Sequence, residues 1–276
     1  MSGTLATRLA TAVVVLPLFV AAMLFLPNAL WGWTLLPLLA IGGWEWCELA
    51  GYRGAPRWLF MLIVIISALA IPMPVLPDPG RTAILFSPAG VVFVVATAFW
   101  LLVAPLWLYA KWRLRHPLLL GIVGWLMLVP TWAALVFLQA DAWTLLALLG
   151  VVWIADSFAY LAGMRWGRRK LAPEISPGKT WEGVAGAVAA VAVYYVALSS
   201  ADILDNRIFK GLAGVSVFAV VTAMSIEGDL LESWIKRVAG VKDSGRLLPG
   251  HGGVLDRIDG LTSTLPVAAL IVLGLA

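Results

Sequence analysis

From Leu9 to Trp44 the sequence runs for 36 residues without one charged side chain. A helix needs about 20 mostly apolar residues to cross a bilayer, so this run is long enough for a helical hairpin, with Pro27-Asn28 as its turn. The rest of the chain has the same character. It is 62% apolar and 12% charged, with a mean hydropathy of +0.97, a composition that does not suit a water-facing surface. In lipid every backbone polar group must be satisfied internally and open sheet edges are excluded. The expected fold is therefore an all-α polytopic membrane protein, a bundle of about nine transmembrane helices. The hydropathy places them near 9–26, 30–48, 57–76, 88–109, 118–138, 142–163, 182–200, 208–226 and 260–276. Arg8 precedes an apolar stretch, as in a secretory leader, but no small-residue cleavage site ends it, so this segment is read as a retained first span. Trp31 and Trp33 are expected as interface anchors, and the fifteen tryptophans as interface belts and lipid-facing bulk.

The placement of the charges gives an orientation. In the nine-span path Arg8, Arg53, Arg57, Lys111, Arg113, Arg115, Arg165, Arg168, Arg169, Lys170, Lys179, Lys236, Arg237, Lys242, Arg246 and Arg257 fall on one side, 16 of the 19 basic residues. Arg81, Arg207 and Lys210 fall on the other. The positive-inside rule then puts the N-terminus in the cytoplasm and the C-terminus outside the cell (inner) membrane. A net charge of +4 is too small and too unevenly spread for a nucleic-acid binder. The lone Cys47 excludes an intramolecular disulfide and a cysteine-based metal site. The boundary worth drawing separates N-terminal transmembrane helices, 1–140, from a charge-bearing transmembrane catalytic region, 141–276.

Polar residues gather at two places in that second half. Asp229 stands three residues beyond the apolar run ending at Ile226, and helical continuation puts Ser225, Glu232, Ser233 and Lys236 on adjoining faces. Then comes Leu248-Pro249-Gly250-His251-Gly252-Gly253, whose glycines let backbone N–H groups approach a ligand, followed by Asp256-Arg257-Ile258-Asp259. Asp256 and Asp259 are three apart, so one helical turn presents both carboxylates on one face. Oxygen donors at that spacing suit Mg²⁺ held jointly with substrate phosphates, whereas zinc would want more His or Cys. With Asp229 as a third carboxylate and cations close by, the chemistry indicated is phosphoryl or nucleotidyl transfer.

The second cluster is Arg165 to Gly183. Gly178-Lys179-Thr180 looks like the end of a P-loop, but the required glycine is replaced by Pro173 and no strand is expected before it, so a Walker A motif is rejected. A Ser/Lys/Thr turn opening a helix still binds phosphate through its N–H groups and Lys179. Asp156 interrupts an apolar span and is a functional candidate by default, with a cation of the 165–179 loop or the metal site as its expected partner. Glu45 and Glu48 read as interfacial anchors beside Trp44 and Trp46.

The stretch Ser233-Trp234-Ile235-Lys236-Arg237, then Lys242-Asp243-Ser244-Gly245, then Leu248 to Asp259 resembles the signature of the phosphatidate cytidylyltransferases, or CDP-diacylglycerol synthases, over 27 consecutive positions. The segments Asp156…Ala159-Tyr160…Gly163 and Lys170 to Gly183 are also similar to that family. The resemblance implies a polytopic enzyme that joins CTP and phosphatidic acid into CDP-diacylglycerol and pyrophosphate, with Mg²⁺ and a second cation such as K⁺. It implies metal ligation by Asp229, Asp256 and Asp259, and catalytic positions at these three and at Lys242, Asp243 and His251. Phosphate and substrate binding falls to Ser176, Lys179, Thr180, Lys236, Arg237, Arg246, Arg257 and Asp156, and a homodimer in the lipid bilayer is the expected assembly. A CTP-dependent lipid kinase of the polyprenol or phytol type would need similar residues and would yield phospholipid and CDP. An anion or nucleotide transporter is the third reading, against which stands the gathering of polar clusters on one membrane face.

Overall fold

The computed structural model describes residues 2–71, 87–201, 203, 207–245 and 252–275, with the backbone alone for 2–12, 207 and 275. The helices are α1 (Ser2–Phe25), α2 (Asn28–Leu49), α3 (Ala55–Ala70), α4 (Pro88–Ala98), which passes through a π-helical turn (Phe99–Val103) into α5 (Ala104–Ala110), α6 (Pro117–Leu138), α7 (Ala142–Trp166), α8 (Trp181–Ser200), α9 (Gly211–Ala239) and α10 (Leu255–Leu275). Five helical runs among the described residues are long and apolar enough to cross a membrane: Pro88–Ala110, Pro117–Trp166, Trp181–Ser200, Gly211–Ala239 and Leu255–Gly274. The chain is an all-α membrane protein in these parts.

Local chemistry sets the starts of the helices. Proline occupies the first turn of α3, α4 and α6, where its missing N–H costs nothing. The Ser87 hydroxyl accepts from Gly90 N at the start of α4, the Asp141 carboxylate accepts from Thr144 N at the start of α7, and the Thr180 hydroxyl accepts from Gly183 N at the start of α8, each at 3.1 Å. The turn between α1 and α2 is Leu26-Pro27, with Asn28, expected in the turn, already the first residue of α2. There the Asn28 side chain donates to Val136 O and to the Gln139 side chain, tying the far end of α2 to α6.

The helix α10 lies at the centre, against α4, α6 and α9. Its buried hydroxyls are satisfied by carbonyls: Thr264 donates to Gly260 O at 2.9 Å, and Ser263 crosses to Met224 O of α9 at 2.7 Å. Gly228 permits that approach, since a Cβ there would meet Ser263 Oγ and the carbonyl of Asp259. Both helices extend further into the polar segment than hydropathy predicts. The expected spans stop at 226 and begin at 260, whereas α9 runs on to Ala239 and α10 starts at Leu255. The charged residues continue the helical period, and Asp229 and Lys236 find partners in Lys179 of β2 and Asp256 of α10, so the helix does not end where the apolar run ends.

Two further differences are informative. Trp31, Trp46 and Trp100 are fully buried rather than interfacial, and the indoles of Trp31 and Trp46 donate to Leu135 O and Leu120 O at 3.0 Å. A carbonyl partner lets the rings of Trp31 and Trp46 fill gaps between helices, whereas Trp100 Nε1 has no partner among the described residues; Trp33, by contrast, is 60% exposed. The polar 167–180 segment also contains an antiparallel hairpin of β1 (Lys170–Ala172) and β2 (Ser176–Thr180), with Lys170 opposite Thr180. Its edges lie outside the long apolar helices, so the exclusion of open edges from lipid does not apply to it. β2 runs straight into α8 with no glycine-rich loop between, so the Walker A reading stays rejected.

The loops 50–54, 111–116 and 167–180 meet the C-terminal end of α9 at one end of the bundle. The Tyr52 hydroxyl donates to Pro117 O, the Trp234 indole donates to Trp112 O at 2.8 Å, Lys111 pairs with Glu174 at 2.6 Å, and Arg237 donates to Ile175 O at 3.4 Å.

Candidate active site

At this end α7, β2, α9 and α10 enclose a cavity of about 570 Å³ lined by Asp156, Ser176, Lys179, Thr180, Asp229, Asp256, Arg257 and Asp259 among others. Eight residues singled out in the sequence, from four separate elements, thus come to one place. Asp156 and Asp229 each stand ten residues inside the end of their helix, at Trp166 and Ala239 respectively, while Asp256 and Asp259 occupy the first turns of α10. The Lys179 ammonium reaches across from β2 to the Asp229 carboxylate at 2.6 Å. This pair is only partly covered, with 23% and 31% of the two side chains exposed, so both groups face the cavity. Asp229 also accepts from the Ser233 hydroxyl at 3.2 Å, one turn along α9. Asp156 receives a long contact of 3.5 Å from Ser225. Lys179, the cation of the 165–179 loop that lines the same cavity, pairs with Asp229 rather than with Asp156.

Asp256 is held from behind. Its Oδ2 accepts from the backbone N–H groups of Ser244 and Gly253 at 3.0 and 2.8 Å, and its Oδ1 accepts from Lys236 at 2.5 Å. Lys236 also pairs with Glu232 at 3.1 Å, and Glu232 is fully buried. The lysine expected to bind phosphate is therefore occupied by two carboxylates, and its geometry is that of a strut beneath Asp256. Glu232 Oε1 has no partner among the described residues, so this buried triad keeps one acceptor in reserve.

Other expected residues lie elsewhere. Lys242 and Asp243 are exposed and line a second cavity of about 940 Å³, together with Trp44, Glu45 and Glu48 from α2 and Ser244 and Gly245. Asp256 borders the first cavity, while Ser244, whose N–H it receives, borders the second. Arg237 lines a third cavity with Arg113, Arg115 and Glu174. Arg246 and His251 lie outside the described residues.

Glu45 departs from its reading as an interfacial anchor. It is 4% exposed; its Oε1 accepts from Val254 N and its Oε2 from Leu255 N, both at 2.9 Å, and Oε2 also accepts from the Ser244 hydroxyl at 3.1 Å. A carboxylate from α2 thus caps α10 and holds the two ends of the 245–253 segment together. Gly253 is required here, because a Cβ would occupy the space of Glu45 and Ser244. The available signal was the default reading of an ionisable residue inside an apolar helix as functional. Glu48, one turn on, is exposed as an interfacial anchor should be.

The profile of the cytidylyltransferase family matches residues 6–274, nearly the whole chain. The chain belongs to that family. Among its relatives, a phosphatidate cytidylyltransferase of Pseudomonas aeruginosa is 37% identical over 277 residues, 96% of this chain and 95% of the relative. Enzymes of the same name from Haemophilus influenzae and Thermotoga maritima are each 42% identical. The first matches over 169 residues, 57% of this chain and 58% of its own, and the second over 128 residues, 46% and 47%. Within this member of the family, the carboxylate cavity and the Glu45-capped loop give the resemblance a location.

The donor set can be tested for the Mg²⁺ that the sequence leads one to expect. Among the described residues no three His, Cys, Asp or Glu side chains stand close enough to hold a metal by themselves. That suits Mg²⁺, which keeps much of its hydration and is bound through one or two carboxylates plus substrate phosphates rather than in an all-protein cage. The oxygen-only carboxylates of Asp156, Asp229, Asp256 and Asp259 around one cavity fit that chemistry.

Proposed function

We propose that this chain transfers the cytidylyl group of CTP to phosphatidic acid, giving CDP-diacylglycerol and pyrophosphate for phospholipid synthesis. The observation that carries the reading is the single cavity in which the Lys179–Asp229 pair faces Asp156, Asp256, Arg257 and Asp259, in a chain matched along almost its whole length by an enzyme of that activity. A phosphatidate phosphate already carries an anionic oxygen near neutral pH, so no protein nucleophile is needed and the chain's task is alignment and charge screening. In this reading Lys179 and Arg257 draw the phosphates into the cavity, and the Ser176 and Thr180 segment closes it from the hairpin side. Asp256, fixed by two N–H groups and Lys236, and Asp229, fixed by Ser233, present oxygens of set direction. Asp229, Asp256 and Asp259 would offer oxygens to Mg²⁺, one or two of them binding it directly and substrate phosphates completing its shell, and the ion would supply Lewis-acid screening of the charge developing on the transferring phosphoryl and on pyrophosphate. A second cation such as K⁺ fits the remaining carboxylate, Asp156. Lys242 and Asp243 guard the cavity on the other side of Asp256, and His251 and Arg246 belong to the same segment.

The reading includes nine membrane crossings, by α1, α2, α3, α4 with α5, and α6 to α10, with the N-terminus cytoplasmic, the catalytic region at 141–276 and two copies in the assembly. It puts the site at the cytosolic face, where soluble CTP meets a headgroup of the inner leaflet.

The test is turnover by purified protein in mixed micelles with phosphatidic acid, Mg²⁺ and CTP labelled in the cytidine, following lipid-linked cytidine and pyrophosphate together. Equal yields of the two are expected, with loss of both on chelation. Asp256→Asn and Asp259→Asn should each lower turnover by about 100-fold or more while keeping the elution profile of the parent. Near-normal rates in both variants would remove the metal assignment; lipid phosphorylation with release of CDP would replace the transferase by a kinase.

A further inference from the structure

The third cavity, about 380 Å³, lies between the 111–116 loop, the hairpin turn and the end of α9. Three guanidinium groups line it, those of Arg113, Arg115 and Arg237. Its one carboxylate, Glu174, is already paired with Lys111 at 2.6 Å. Arg237 gives two of its five N–H donors to the carbonyls of Ile175 and Val241, and among the described residues neither Arg113 nor Arg115 has a carboxylate partner. The cavity therefore carries an excess of positive charge that no group of the described chain neutralises.

Its floor is apolar. Arg115, Trp234 and Val238 are shared with an adjoining cavity of about 180 Å³ whose walls include Trp107, Trp112 and Leu120. The loop that carries the arginines is fixed rather than trailing: the carbonyl of Trp112 accepts from the indoles of both Trp107 and Trp234 at 2.8 Å. The depth is that of a membrane boundary, since Tyr109, Trp112, Trp166 and Trp181 are all well exposed at this end of the bundle, and exposed aromatic rings of this kind gather at headgroup level.

We propose that this pair of cavities is a second lipid site, separate from the carboxylate cavity, which holds the phosphate headgroup of an anionic phospholipid on Arg113, Arg115 and Arg237 with the start of its glycerol and acyl portion on the indole-lined floor. Guanidinium forks match phosphate oxygens in pairs, and basic pockets between helices at a membrane surface select anionic headgroups. A soluble phosphate would use the arginines but gain nothing from the apolar annex; a zwitterionic lipid would fill the annex but bring a cation to the arginines. Only an anionic lipid uses both.

The experiment is native mass spectrometry of the full chain released from detergent after incubation with phosphatidylglycerol or with phosphatidylcholine of the same acyl chains. The parent should retain phosphatidylglycerol in preference, and Arg113→Ala with Arg115→Ala should reduce that preference roughly tenfold or more. Glu174→Gln, which removes the cavity's one carboxylate, should raise it, so the proposal remains testable even where the double variant does not fold. Cytidylyl transfer measured on the same samples reports on the carboxylate cavity separately and is expected to persist in all of them. An unchanged lipid preference in both variants would overturn the proposal. So would displacement of phosphatidylglycerol by inorganic phosphate or by CTP at equal concentration, because that would make the arginines a site for soluble anions.

Discussion

Glu45 carries three hydrogen bonds to residues about two hundred positions away, and all three donors flank or open the helix that bears Asp256 and Asp259. Its effect on the site is therefore indirect and strong. Replacing one carboxylate oxygen by an amide N–H₂ would face a donor with a donor, and each buried N–H left unpaired costs about 1–3 kcal/mol. Glu45→Gln should reduce turnover by about tenfold or more, since about 1.4 kcal/mol of misplacement suffices for that factor. The loss should appear mainly in kcat, with KM for CTP little changed, because the substitution disturbs the direction of Asp256 rather than a substrate contact. Glu45→Asp, which keeps the charge one methylene short, should recover part of the rate. Parent-like kinetics in Glu45→Gln would show that the cap is dispensable. Lys236 belongs to the same logic: its two carboxylate partners make it a support for Asp256, and a phosphate would have to compete with both.

Between elements, the site depends on how closely α9 and α10 approach. Gly228 sits against Ser263 and the Asp259 carbonyl, so Gly228→Ala forces the two helices apart where Asp229 and Asp259 face the same cavity. Overpacking of this kind costs about 1–3 kcal/mol. The thermal unfolding midpoint in detergent should fall by several degrees, with loss of turnover, whereas Gly274→Ala, whose added Cβ meets nothing within 4 Å, should leave both unchanged. Equal behaviour of the two variants would remove the close approach as the reason for glycine at 228. The same contacts explain what the sequence could tell in advance. The helices near 30–48, 118–138 and 182–200 were legible because lipid imposes a length and a composition on each helix separately. Asp256 and Asp259 were legible because helical spacing is a local rule. The burial of Trp31 and the role of Glu45 were not, because hydropathy does not distinguish a ring facing lipid from one facing a neighbouring helix, and no local pattern links position 45 to 244, 254 and 255. The extension of α9 past Ile226 escaped for a related reason: hydropathy ends a helix at its first charges, but Asp229 and Lys236 have partners on β2 and α10 that no local pattern reveals.

At the scale of the whole molecule, the path of the helices and the distribution of charge agree. A chain that crosses at each of α1, α2, α3, α4 with α5, and α6 to α10 returns to the same side at 50–54, 111–116, 167–180 and 240–245. Contacts join elements of this end, Glu45 with Ser244, Lys111 with Glu174 and Trp234 with Trp112. Those are also the segments that carry most of the lysine and arginine, so the positive-inside rule applied to this path puts them in the cytoplasm and the last residue outside. Nine is an odd number, and that parity is what a fusion can read. Alkaline phosphatase joined after Ala276 should be active in intact cells while a fluorescent protein joined there stays dark, and the pattern should reverse for fusions truncated in the 240–245 segment. A fluorescent C-terminal fusion would mean an even number of crossings, with one of the early helices lying along the surface. The carboxylate cavity would keep its geometry in that case, because it is built from α7, β2, α9 and α10, and only the assignment of the C-terminus would change. The proposed reaction asks for the same side: in that reading cytosolic CTP brings its triphosphate to Lys179 and Arg257, at the end of the bundle where the basic loops converge.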